Sequence, residues 1–252
     1  MTQATEVLVP TSPDEAAAAF GDGSGVTVVG GGTIVMPEIT YGRLKVDKAL
    51  LLGKAGLAGV TRDGSRITIG AATPVADLVD LPAPLGPCAA NVADGEIRRQ
   101  ATLGGNICAG PGPDAPRGDL QGPLLALDAT ARSTGPGGER SEPLESFLDD
   151  RVGRLLLDVS FDEPAAGSFA TIDYPHTHEY TVLAVSAART SGGEVRLAAT
   201  GLADHARMLS GDADAAASEV RLGDDALASA WYREQTLPVL VRRVLADLGE
   251  GT

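Results

Sequence analysis

A β-branched run, Val26-Thr27-Val28-Val29, leads straight into Gly30-Gly31-Gly32-Thr33, and this junction constrains the chain more than any other feature. The run predicts a strand, since β-branched side chains fit a pleated surface. The glycines end it. They also let successive backbone N–H groups converge on an anion with no Cβ in the way, and Thr33 adds a hydroxyl. The motif is not a dinucleotide fingerprint: position 35 is Val, and Pro37 interrupts the helix that should follow. Nor is it a P-loop, because Gly53-Lys54 is followed by Ala55 and Lys48 stands where the first glycine belongs. Taken alone, a triple glycine after a strand is as often a plain turn.

Around this junction the chain alternates strand and helix signals. Glu6–Pro10 reads as a short strand, and Thr11-Ser12-Pro13-Asp14-Glu15 as a helix start with a capping hydroxyl, an early proline and acidic residues. That helix is expected to end near Gly21 or Gly23. Strands are expected over Lys45–Leu52 and Arg66–Gly70, the latter turning back through Asp63-Gly64 from Ala58–Thr61. A helix is expected from Thr73 to Leu78, and a buried one over Asp119–Ala129. Pro136-Gly137-Gly138 reads as a turn, and Glu142–Asp150 leads to a strand over Arg154–Phe161. Glu163–Gly167 reads as a linker or loop. Beyond it, Glu179–Arg189 and Glu194–Thr200 flank Ser191-Gly192-Gly193 as an antiparallel hairpin. The final helix places Leu237, Leu240, Val241, Val244, Leu245 and Leu248 on one stripe.

The 252 residues allow one large domain or two smaller ones, and 32 glycines with only 4% aromatics imply many tight turns over an aliphatic core. A net charge of −14 argues against nucleic acid and against anionic membrane surfaces as partners. Cys88 and Cys108 form no CxxC, and two thiols cannot hold an iron–sulfur cluster. The start shows no basic region followed by an apolar stretch, and no apolar run reaches the roughly 18 residues of a membrane span, so a cytoplasmic, reduced setting is expected.

A second glycine motif, Thr102-Leu103-Gly104-Gly105-Asn106, follows Ile97-Arg98-Arg99-Gln100. Alone it reads as a polar loop in which Asn106 caps a turn. The two motifs in this order are far more specific. Together with Gly118-Asp119-Leu120, Leu127-Asp128-Ala129, Leu155-Leu156-Leu157 and the stretch from Tyr232-Arg233 to Leu245, they resemble the FAD-binding (medium) subunits of the molybdenum hydroxylase family, as in xanthine and carbon monoxide dehydrogenases.

The resemblance implies an α+β chain: a two-subdomain FAD-binding fold of the PCMH/vanillyl-alcohol-oxidase type over residues 1–162, divided near residue 55. A C-terminal α+β subdomain with an antiparallel sheet and helices then follows over 163–252. It implies noncovalent FAD, with the backbone of Val29, Gly30, Gly31, Gly32, Thr33 and Ile34 cradling the pyrophosphate. Thr102, Gly104, Gly105 and Asn106 would form a second wall, Asp119 would bind the ribityl hydroxyls, and Leu156 would lie against a ring. For Asp119 a helix N-cap is the plain structural role, and for Leu156 an ordinary core leucine. No catalytic residue and no metal ligand is assigned to this chain. The molybdenum–pterin cofactor and [2Fe-2S] clusters are expected on partner subunits only, in a dimer of heterotrimers with an iron–sulfur small subunit and a molybdopterin large subunit. NAD, a quinone or oxygen would accept the electrons.

One departure from the pattern is Phe169-Ala170, where many relatives carry a lysine after an aromatic residue; a lost positive charge near the flavin is expected to disfavour its reduction. His176 and His178 would share one side of a strand, a spacing that suits surface or interface contacts better than a metal. Cys108 is read as a small buried hydrophobe. Two other functions fit the same fold, a scaffold that has lost its cofactor and a self-contained flavin oxidase.

Overall fold

The computed structural model describes residues 6–110, 118–173 and 180–250. The chain opens with β1 (Glu6–Leu8), α1 (Pro13–Phe20), β2 (Val26–Val29), α2 (Val35–Thr40) and β3 (Lys48–Leu51). β3 lies between β1 and β2 and runs parallel to both, so a crossover is required and α1 supplies it. α1 starts as its sequence dictates. Ser12 caps it by accepting from the Glu15 N–H at 3.2 Å, while the Glu15 carboxylate reaches back to the Thr11 N–H and hydroxyl, each at 2.7 Å. Ala16 and Phe20 of α1 pack with Leu50, Leu52, Ala55, Leu57, Leu155 and Leu157 in one apolar cluster.

The hairpin β4 (Val60–Asp63) and β5 (Arg66–Gly70) forms at Asp63-Gly64, Gly64 taking a left-handed φ. The helix expected from Thr73 shortens to a single 3-10 turn over Val75–Leu78. The reason is visible at its start: the Val75 N–H is held by the Ala101 carbonyl, and Pro74 bridges to Thr102. After α3 (Leu85–Asn91), α4 (Gly95–Gln100) and α5 (Leu103–Ile107) comes α6 (Gln121–Ala126), buried at every residue. β6 (Thr130–Thr134) and β7 (Arg140–Pro143) turn through left-handed Gly137 and Gly138, and α7 (Leu144–Asp149) leads to β8 (Leu155–Asp162). The sheet order is β4-β5-β8-β6-β7.

After a short loop over 163–165, within the stretch expected to be a linker or loop, the chain enters β9 (Ala166–Asp173), an edge strand of a sheet ordered β12-β11-β10-β9. Its other members are β10 (Thr181–Arg189), β11 (Val195–Thr200) and β12 (Arg207–Leu209); α8 (Ala216–Glu219) and α9 (Ala230–Asp247) follow. The expected hairpin is β10–β11, paired from Ala184↔Thr200 to Arg189↔Val195. Period-2 alternation sends Leu183, Val185, Ala187, Leu197 and Ala199 to one face, where they meet Leu237, Leu240, Val241 and Val244 of α9. Each such leucine or valine contributes about 1.5–3 kcal/mol of burial. α6 covers β10 and β11 as well.

These elements form two compact units, neither a single stretch of chain. One comprises residues 1–75, 96–108 and 130–160; the other comprises 76–95, 109–129 and 161–252. Among the described residues no helix is long and apolar enough to cross a membrane.

Candidate functional site

The glycine loop leaves β2, edge strand of the parallel sheet, and enters α2 through Ile34. Gly32 takes φ +75°, a conformation that L side chains rarely adopt, and its carbonyl accepts from the Met36 N–H at 2.9 Å. Among the described residues the N–H groups of Gly31, Gly32, Thr33, Ile34 and Val35 meet no protein acceptor. The loop is half-buried, so water or a bound ligand is left to accept from these donors. Successive free donors beside a left-handed glycine are the elements from which anion-binding nests are built.

The second motif sits in the same unit and plays a different part. Thr102 is the N-cap of α5, its hydroxyl accepting from the Gly105 N–H at 3.2 Å. Leu103 and Gly104 donate to the Thr73 and Ala71 carbonyls at 2.9 and 2.8 Å. The backbone donors at the start of this motif are therefore already engaged. Thr102 caps α5, and Asn106 lies half-buried on that helix.

The two motifs touch each other. A Cβ on Gly30 would overlap Thr102 Oγ1, and one on Gly31 would overlap the Gln100 carbonyl. The expectation that these glycines keep space open for an anion needs correcting: on their Cβ side the space is filled by residues 100–102. No sequence signal pointed to Gln100 as a contact.

Leu156, on β8, is 3% exposed, so protein already covers it. Asp119 belongs to the other unit, half-buried just before α6, and its carbonyl accepts from the Cys88 thiol at 3.4 Å. Nearby, Asn91 Nδ2 donates to Asp173 Oδ1 at 2.9 Å, and the Thr171 hydroxyl donates to the same oxygen at 3.0 Å. That polar group escaped sequence reading because Asn91 of α3 lies far in sequence from Thr171 and Asp173 of β9. Ala170 is 5% exposed and packs in the core under α9. His176 and His178 lie outside the described residues.

The cysteines differ from each other. Cys88 is buried, and desolvation raises its thiol well above the ordinary range, with Asp119 and Asp173 adding to the effect. Cys108 is exposed as a residue, against the expectation of a buried hydrophobe, yet the protein packed around its sulfur pushes the thiol up to about 11. Native protein treated with iodoacetamide at mildly alkaline pH should accordingly take up label slowly, at Cys108 alone, and at both cysteines once denatured. Peptide mass mapping reads the result, and rapid native labelling of Cys88 would contradict its burial.

An α+β protein carrying a donor-rich glycine loop at the end of a parallel strand is the class that this geometry defines. Comparison places the chain further. It belongs to the family described as the FAD binding domain in molybdopterin dehydrogenase, which matches residues 3–160. It is 30% identical over 152 residues to the carbon monoxide dehydrogenase medium chain of Hydrogenophaga pseudoflava, covering 57% of this chain and 51% of that one. It is 38% identical over 102 residues to the xanthine dehydrogenase FAD-binding subunit of Escherichia coli O157:H7, covering 37% and 33%. The matched stretch thus spans about half the length of the first relative and a third of the second. In structure it is similar to the carbon monoxide dehydrogenase from Hydrogenophaga pseudoflava that lacks the Mo-pyranopterin moiety, with a TM-score of 0.86 at 23% identity over 100% of both chains. Quinoline 2-oxidoreductase from Pseudomonas putida 86 gives 0.81 at 19% identity, again over 100% of both chains. At those identities the likeness is one of fold, and it agrees with the α+β architecture expected from the sequence.

Proposed function

We propose that this chain binds FAD noncovalently and serves as the flavin subunit of a molybdenum-containing hydroxylase or dehydrogenase. The observation that carries the reading is the run of N–H groups from Gly31 to Val35 that meet no acceptor among the described residues, in a chain of this family. A pyrophosphate offers many acceptor oxygens and negative charge, so the donor set fits the group. In this reading the backbone from Val29 to Ile34 cradles the pyrophosphate, and Thr102, Gly104, Gly105 and Asn106 stand behind it as the second wall. Asp119 holds the ribityl hydroxyls, a role suited to a carboxylate facing sugar alcohols. Leu156 takes its core role, since its burial leaves a ring little surface to lie on. Residues 1–162 are assigned to flavin binding and 163–252 to the accompanying C-terminal subdomain.

FAD, when bound, supplies the redox chemistry; the residues of this chain bind it, orient it and shield it from water. Electrons would come from [2Fe-2S] clusters on a small subunit, fed by a molybdenum–pterin site on a large one, and leave to NAD, a quinone or oxygen. The assembly is a cytoplasmic dimer of such heterotrimers.

The purified chain is expected to be yellow, with flavin released into the supernatant on acid precipitation. A colourless protein that takes up no added FAD would favour the scaffold reading, and colour kept in the pellet would contradict noncovalent binding. Under anaerobic conditions with a purine, an aldehyde or another hydroxylase substrate, the flavin absorbance should bleach only after the iron–sulfur and molybdenum subunits are added. Bleaching by the chain alone would revive the free-standing oxidase.

A further inference from the structure

We propose that Thr102 is a positioning residue for the glycine loop: its side chain, pressed against Gly30, sets the path of the loop that presents the Gly31–Val35 donors. The proposal deepens the flavin reading and rests on it for the identity of the ligand.

Three observations carry it. Thr102 is 8% exposed, and its hydroxyl is already committed as the cap of α5, accepting from the Gly105 N–H. The N–H groups that follow it donate to Thr73 and Ala71, so Thr102 is tied into the β5-to-Val75 segment and not free to shift. A Cβ on Gly30 would overlap Thr102 Oγ1, while Thr102 Cβ and Cγ2 would stand at 3.5 and 3.6 Å, ordinary contact distances. The hydroxyl oxygen is thus the single atom of Thr102 that Gly30 must avoid.

Gly30 is not among the residues with left-handed φ, so its φ does not itself call for glycine. What a Cβ at Gly30 collides with is its neighbour Thr102. At Gly31 the obstructing atoms belong to the backbone of Gln100 and Ala101, which no side-chain substitution can remove. The two adjacent glycines therefore differ in a testable way: the first should be rescued by trimming a single side chain, and the second should not.

The experiment is a mutant cycle on the full chain, read by FAD affinity from flavin fluorescence quenching and by thermal melting of the FAD-free protein. G30A should weaken FAD binding by at least about tenfold and lower the melting temperature. T102A alone should bind FAD more weakly than wild type, through loss of the α5 cap. The double variant G30A/T102A should bind FAD more tightly and melt higher than G30A, the reverse of what two independent lesions give. G30A/T102S keeps the oxygen and should stay as impaired as G30A; G31A/T102A should be no better than G31A.

If G30A/T102A is no better than G30A in both measurements, Gly30 is needed for a reason other than Thr102, and the positioning role is overturned. Rescue by serine as well as alanine would also overturn it. If wild type binds no FAD, the flavin reading fails on its own, while the melting temperatures still decide whether Thr102 sets the loop.

Discussion

Replacing Arg233 by leucine is expected to destabilise the C-terminal unit by about 3–5 kcal/mol, the usual consequence of breaking a buried ion pair from one side. Arg233 sits in the first turn of α9 with 1% of its side chain exposed. Nε donates to the Val182 carbonyl at 3.2 Å, and Nη1 to the Gly223 and Ala228 carbonyls at 2.6 and 2.9 Å. Nη2 pairs with Asp225 Oδ2 at 2.6 Å. The other oxygen of Asp225 accepts from the Leu227 and Ala228 N–H groups at 2.9 and 3.1 Å. One guanidinium therefore joins α9, strand β10 and the loop before the helix. Leucine would fill part of the volume but leave three carbonyls and a carboxylate without their donor. Lysine keeps the charge without the planar fork and should recover only part of the loss. Denaturant titration of the purified chain measures both variants; a cost below about 1 kcal/mol for leucine would show that water replaces the guanidinium.

Gly31→Val is expected to abolish stable FAD binding and to destabilise the N-terminal unit even without ligand. A Cβ at this position would overlap the Gln100 carbonyl and come within 3.0 Å of Ala101 Cα. The obstructing segment cannot step aside: the Ala101 N–H donates to the Ile97 carbonyl at 2.7 Å, and the Ala101 carbonyl accepts from Val75 at 2.8 Å. The glycine loop must move instead, and the donors from Gly31 to Val35 move with it. The FAD-free melting temperature separates this cause from simple obstruction of the ligand. Obstruction would leave it unchanged, and collision with Gln100 lowers it. A variant with full flavin occupancy and wild-type melting would remove the loop from the site altogether.

Much of this was legible in the chain itself. The cap at Ser12, the turn at Asp63-Gly64, the hairpin across Ser191–Gly193 and the stripe on α9 are local matters, decided by residues a few positions apart. The structure places each where the sequence predicts it. Both glycine motifs were equally visible, since glycine after a β-branched strand and a Thr-x-Gly-Gly run are local signals too. Their order along the chain was enough to suggest the family.

What a motif does with its glycines depends on atoms distant in sequence. Gly30 and Gly31 read as space kept for a ligand, but the space is taken by Thr102 and Gln100, which chain folding alone brings there. The second motif read as a polar loop or a second wall, yet its first backbone donors go to Ala71 and Thr73. The linker or loop expected over Glu163–Gly167 holds for Glu163–Ala165 but ends early for the same reason: Ala166–Asp173 becomes a strand because β10 offers it a partner. Local sequence determined where the backbone turns, caps and extends, because those choices rest on dihedrals and nearest neighbours. Tertiary structure decided which polar groups remain free to hold a ligand, because every backbone donor goes to whichever acceptor the fold brings within reach.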